Sequence, residues 1–140
     1  MNVGDICSKN IVAVSTLDSV IDVARVMRDQ NVTSVVVVDN MQEEIRPQGL
    51  ITDRDLVLEV LANKIDPSEV RAEDILTCEL VCVRESHDLA EALKYMRFYG
   101  VKIAPVVNVN GILTGIFSID TALATLSQEY SGLANLLSCT

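Results

Sequence analysis

Tryptophan is absent, and histidine occurs once, at His87. A single imidazole leaves few options for acid–base catalysis and a poor basis for a metal site. The four cysteines (Cys7, Cys78, Cys82, Cys139) form no Cys-x-x-Cys pair, so they are weak zinc candidates. They read as reduced, mostly buried thiols of a cytosolic protein, an intracellular disulfide being open only to a hyperthermophile. No Gly-x-x-x-x-Gly-Lys loop and no nucleophile–base pair stands out, which argues against an enzyme. Fully apolar runs last only a few residues, so no membrane-spanning segment is expected. Residues 1–20 have no basic segment followed by an apolar run, so no secretory leader is expected, and the location is read as cytoplasmic. Basic residues are outnumbered, with 11 Lys+Arg against 20 Asp+Glu and a net charge of −9. That balance argues against a general nucleic-acid binder but leaves room for one local basic spot facing a phosphate.

What is present is an apolar chain that repeats itself. Apolar residues make up 49% of the 140, enough to fill a real core. A shift of 69 residues lays Asp5-Ile6 on Asp74-Ile75, Val12 and Val14 on Val81 and Val83, and Met27-Arg28 on Met96-Arg97. It also lays Val37-Val38 on Val106-Val107. The register holds until the loop after Asp39, where the first copy has three extra residues between Asn40 and Gln48. The pattern is a tandem duplication of about 60 residues, and one such unit alone would be marginal.

Each unit reads as a short lead, a strand, a helix, two strands and a helix. The leads are Val3–Cys7 and Ala72–Leu76, and the first strands are Ile11–Val14 and Leu80–Val83. Ser19 with Asp22, and Asp88 with Glu91, have capping-box spacing and start helices over Val20–Gln30 and Leu89–Tyr99. The expected buried faces are Val20, Val23, Ala24 and Met27, and Leu89, Ala92, Leu93 and Met96. Val35–Asp39 and Ala104–Asn108 are continuous apolar strands, and Gln48–Ile51 and Ile112–Phe117 follow as antiparallel partners. Leu56, Val57, Val60 and Leu61 then recur at helical spacing. Asn63–Arg71 links the units, and Ser127–Thr140 carries a further helix with Leu133, Leu136 and Leu137 on its apolar side. The expected divisions are 1–66, 67–127 and a tail at 128–140.

Both units close on one motif at a strand-to-helix turn. The first is Gly49-Leu50-Ile51-Thr52-Asp53-Arg54-Asp55-Leu56, and the second is Gly115-Ile116-Phe117-Ser118-Ile119-Asp120-Thr121-Ala122. A helix start there offers free N–H groups and a partial positive charge. The second copy has Thr121 where the first has Asp55. Thr52 and Asp55 also have the spacing of a plain capping box.

Two such units, each ending in Gly-hydrophobe-hydrophobe-Thr/Ser-x-x-Asp or a close variant, resemble a tandem pair of CBS domains, the modules named after cystathionine β-synthase. Gly100-Val101-Lys102-Ile103-Ala104-Pro105-Val106-Val107 is similar to the family's second-strand motif. The resemblance implies an α/β (α+β) fold of two CBS units packed as a pseudo-symmetric pair. It implies regulatory binding of an adenosine ligand, AMP foremost, with ADP, ATP or S-adenosylmethionine as alternatives. Carried over by residue, the first cleft would use Thr52 and Asp55 for ribose, Leu80 and Val81 for adenine, and Lys102 for phosphate, with Arg54 beside them. The second would use Ser118, Thr121 and Asp120, with Ile11, Val12, Thr33 and Ser34, and would be weaker without the aligned carboxylate. Asp120 comes one position early on the helix and should point about 100° away.

Surplus apolar helix residues (Ile21, Val26, Leu58, Tyr95 and the tail leucines) call for a partner. The resemblance implies a homodimer with four CBS units in a disc, acting on a regulated protein. A ligand-free interaction module, in which Thr52 and Asp55 only cap a helix, is the alternative reading.

Overall fold

The computed structural model describes residues 1–39, 44–76 and 79–138, with the backbone alone for Ser138. Part of the expected insertion after Asp39, and Cys78 and Cys139, lie outside the described residues. The chain forms two three-stranded sheets flanked by helices. In the first, β1 (Ala13–Ser15) pairs parallel with β2 (Ser34–Val38), which pairs antiparallel with β3 (Pro47–Thr52). In the second, β4 (Val83–Arg84), β5 (Ile103–Val107) and β6 (Leu113–Ser118) repeat that order and sense. Both sheets carry a register shift at matching places, Val37/Val38 and Val106/Val107.

The crossover helices α2 (Val20–Gln30) and α4 (Leu89–Tyr99) owe their ends to local chemistry. The Ser19 hydroxyl accepts the Asp22 N–H at 3.2 Å, and the Asp88 carboxylate accepts the Glu91 N–H at 2.9 Å. These bonds satisfy amides that a helix start leaves open. Each helix stops at a left-handed residue, Asn31 or Gly100, types that tolerate that conformation. Val20, Val23 and Met27 are buried from α2, whereas Ala24, expected on the same stripe, is exposed. From α4, Ala92 and Met96 are buried and Leu89 and Leu93 half-buried.

The leads change sides. The first lead, helix α1 (Val3–Ile6), packs into the second unit, where Val3 and Cys7 join Val83, Met96, Val106 and Phe117. The second lead, a 3-10 turn over Ala72–Ile75, packs into the first unit with Val14, Val23, Val35 and Ile51. Matching backbone bonds fix both. Val3 N–H donates to His87 O and Gly4 N–H to Glu85 O, both at 2.9 Å. Ala72 N–H donates to Asp18 O at 2.8 Å and Glu73 N–H to Thr16 O at 3.0 Å. Each sequence repeat thus completes its partner's core.

Two helices depart from expectation. After one α turn, α3 (Asp53–Asp55), residues Leu56–Leu61 take a π-helical course, with Ala62 N–H donating to Val57 O at 2.8 Å. The wider turn breaks the 3.6-residue stripe. Val60 stays buried, but Leu61, expected beside it, is 72% exposed. The last helix, α5 (Ile119–Ser138), runs unbroken through the expected boundary at 127, so the tail is not a separate helix. No helix among the described residues is long and apolar enough to cross a membrane.

Candidate functional site

β3 ends at Thr52, and the chain turns at once into a helix. Thr52 Oγ accepts the Asp55 N–H at 3.2 Å, and Asp55 Oδ2 accepts the Thr52 N–H at 2.9 Å. This closed capping box holds the carboxylate at the turn. It occupies Oδ2 and leaves Oδ1 without a partner among the described residues. The Asp53 N–H donates to Thr33 O at 2.9 Å, tying the turn to the residue just before β2.

Beside this turn lies a cleft of about 390 Å³ between the two units. Thr52, Arg54, Asp55, Leu80, Val81 and Lys102 all line it. Asp55 and Thr52 come from the first unit, and Leu80, Val81 and Lys102 from the second, so the cleft exists only in the pair. Arg54 and Lys102 are exposed, and neither forms an ion pair or side-chain hydrogen bond among the described residues. Two such cations beside a fixed carboxylate suit a ligand with one anionic end and one hydroxyl-rich part.

Leu76, Glu79, Gly100 and Pro105 also line the cleft, and residue-by-residue reading missed them. Pro105 explains a gap in the sheet. In the first unit the Val36 N–H donates to Val12 O at 3.0 Å. Pro105 stands at the position of Val36 and has no N–H to give. The Val81 carbonyl therefore accepts nothing among the described residues. Both first strands are shorter than expected: β1 begins at Ala13, not Ile11, and β4 at Val83, not Leu80. A proline inside the duplicated strand was the available signal. Backbone polar groups seldom stay unpaired, so this carbonyl, half-buried at a cleft wall, is available to a donor. Beside it, burial pushes the Cys82 thiol up to about 11, which makes it a poor nucleophile.

The pseudo-equivalent cleft is smaller, about 270 Å³. Val12, Thr33 and Ser34 line it as expected positions, together with Asn10, Asn31 and Ile116. The structure does not bring the other expected residues onto that cavity. Ser118 Oγ and Thr121 Oγ1 lie 3.2 Å apart and bond to each other, and Ser118 also accepts the Thr121 N–H. Asp120 is exposed on the outer side of α5. Ile11 faces a neighbouring depression of about 490 Å³ with Val26 and Gln30. Val36 keeps its N–H here and closes the carbonyl of Val12.

Two sheets of this topology, with crossed leads and a cleft shared between repeats, define a tandem CBS pair. The family model described as CBS domain matches residues 3–62 and 72–128, and the chain belongs to that family. An uncharacterised protein of Methanopyrus kandleri is 33% identical over 136 residues, covering 92% of this chain and 68% of that protein. The solved CBS domain protein PAE2072 from Pyrobaculum aerophilum, complexed with AMP, has a TM-score of 0.76 at 22% identity, covering 86% of this chain and 89% of that one. The CBS domain pair of protein MJ0100, in complex with 5′-methylthioadenosine and S-adenosyl-L-methionine, also scores 0.76 at 21% identity, covering 90% and 99%. At these identities the two structures are alike in fold.

Proposed function

We propose that the chain is a cytoplasmic regulatory module that binds an adenosine ligand in the larger cleft and passes a shape change to a partner protein. One observation carries the reading. A carboxylate oxygen, a backbone carbonyl and two cations, none with a partner among the described residues, share one cavity of about 390 Å³. Asp55 Oδ1 would take the ribose hydroxyls, as acidic residues do in dinucleotide folds. The Val81 carbonyl would take the exocyclic amine of adenine. Lys102 and Arg54 would meet phosphate oxygens, which favours AMP, ADP or ATP over the cationic S-adenosylmethionine. The two similar folds that hold AMP or S-adenosylmethionine support the ligand class. No catalytic role is assigned: the residues gathered here bind and orient. Because the cleft walls come from both repeats, a ligand that grips both favours one arrangement of the pair, by no more than its differential affinity.

The reading includes a homodimer, with four CBS units in a disc. An apolar groove of about 240 Å³ between α2 and the π-helical turn, lined by Ile21, Val57 and Leu61, offers the surface. Light scattering is expected to give twice the chain mass. That same groove is what a ligand-free interaction module would use.

Thermal unfolding with AMP, ADP, ATP, S-adenosylmethionine and NAD separates the two readings. A ligand at about 100 times its dissociation constant adds about 2.7 kcal/mol and raises the melting temperature. A panel in which nothing stabilises the protein would turn the assignment to the interaction module.

A further inference from the structure

The turn that receives the first lead is closed by the chain's one histidine. Arg84 N–H donates to His87 Nδ1 at 3.2 Å, and His87 N–H donates to Arg84 O at 3.0 Å. A ring nitrogen that accepts carries no proton, so this imidazole is neutral. The carbonyls of the same turn hold the lead. His87 O accepts the Val3 N–H and Glu85 O the Gly4 N–H, while Leu89 N–H donates back to Met1 O at 3.1 Å. A shift of 69 residues lays Asp18 on His87 and Ser15 on Arg84. The first unit builds the same turn with a carboxylate. Ser15 N–H donates to Asp18 Oδ2 at 2.9 Å, Asp18 N–H donates to Ser15 O at 3.1 Å, and Asp18 O accepts the Ala72 N–H of the second lead. Two matching turns thus seat the two leads, one closed by an aspartate and the other by a histidine.

We propose that His87 makes the seat of the first lead sensitive to acid: a proton on Nδ1 opens the Arg84–His87 turn and loosens α1 from the second unit as the pH falls from neutral to about 5.5. Once protonated, Nδ1 is a donor aimed at the Arg84 N–H, and that backbone donor loses its partner. A carboxylate stays an acceptor through the same range, so the second lead keeps its seat. The surroundings offer the imidazolium little to hold it in place. Its own turn carries Arg84, Glu85 and Asp88, and the lead carries Asp5 and the Met1 amino group. From α4 come Glu91 and Tyr95, the Tyr95 ring lying 6.3 Å from that of His87. None of these forms an ion pair with His87 among the described residues, and the Asp88 carboxylate already accepts the Glu91 N–H. Loosening α1 would draw Val3 and Cys7 out of the core they share with Val83, Met96 and Phe117. It would also take Ser8 from the wall of the smaller cleft. The proposal does not depend on the adenosine reading.

Amide hydrogen exchange of the full chain at about pH 7.5 and about pH 5.5, followed by mass spectrometry and corrected for intrinsic rates, reads both leads at once. Protection of residues 3–8 should fall about tenfold at the lower pH while that of residues 72–76 stays level. His87→Asp copies the turn of the first unit and should make residues 3–8 as indifferent to pH as 72–76. Asp18→His should carry the sensitivity over to 72–76. His87→Asn keeps an acceptor that does not titrate, and serves where the aspartate disturbs the fold; thermal unfolding at the higher pH shows which variants are intact. Equal protection of residues 3–8 at both pH values in wild type would overturn the proposal. So would a loss in acid that persists in His87→Asp and His87→Asn, which would put the titrating group elsewhere, or an equal loss in both leads, which would mean a general loosening.

Discussion

The two clefts are copies of one frame with different walls. Where the larger has Lys102, Pro105 and Gly100, the smaller has Thr33, Val36 and Asn31, and Thr121, the sequence counterpart of Asp55, stays off its cavity. The strand register, the caps and the bonds to the leads survive in both. The changes fall on groups that would meet a ligand. In the larger cleft a carboxylate oxygen, an ammonium and a carbonyl lack partners among the described residues; in the other repeat a hydroxyl pair satisfies itself and Val36 closes the carbonyl. The packing is the same in both repeats, and the polar groups left without partners among the described residues of one repeat are the ground on which the larger cleft is proposed as the ligand site.

Four substitutions in three tests act on that asymmetry, ordered by the largest effect in each test. Asp55→Ala should remove the stabilisation by the adenosine ligand, about 2.7 kcal/mol at a hundredfold excess over the dissociation constant. It should also lose about 1 kcal/mol of unliganded stability with the cap. An undiminished ligand shift would place the ribose elsewhere. Gly115→Ala should cost about 2 kcal/mol in denaturant unfolding and Gly49→Ala about 1. A Cβ at Gly115 would meet Cys7 Sγ at 2.6 Å and the backbone oxygen of Ser8 at 2.8 Å, whereas at Gly49 it meets only the flexible end of Leu76. Equal costs would show that the two surroundings yield alike. Pro105→Val should weaken the adenosine ligand about tenfold in titration, roughly 1.4 kcal/mol, by giving the Val81 carbonyl an N–H. Unchanged affinity would remove that carbonyl from recognition.

Much of the fold is written locally. The sequence places α2 and α4 at their observed bounds because a capping side chain starts each and a left-handed residue ends each. Strand ends are less legible, since a strand needs a donor on its neighbour. Ile11–Val12 and Leu80–Val81 both have the composition of strands and both lie outside them, although Val36 gives Val12 the bond that Pro105 withholds from Val81. The exchange of leads is invisible to periodicity, because Val3 and Ala72 look equally apolar whichever core they enter. The π-helical course of Leu56–Leu61 has no signal in spacing, and we have no physical account of why the chain chooses it. At the larger cleft, the six residues named from the family resemblance share one cavity; Gly100 and Pro105 stood in a quoted motif without a site role, and Leu76 and Glu79 entered only through tertiary proximity. At the smaller, Ser118 and Thr121 align in sequence but spend their hydroxyls on each other, a choice that alignment cannot show.

The crossed leads bear on ancestry. A lone repeat would have carried a lead with no second core to enter, and a core lacking a lead. It could have closed only by trading leads with another molecule of itself, as in a domain-swapped dimer. Fusing two genes would have turned that trade between molecules into one within a chain, independent of concentration. Once fused, the halves no longer had to be alike, and one cleft was at liberty to drift.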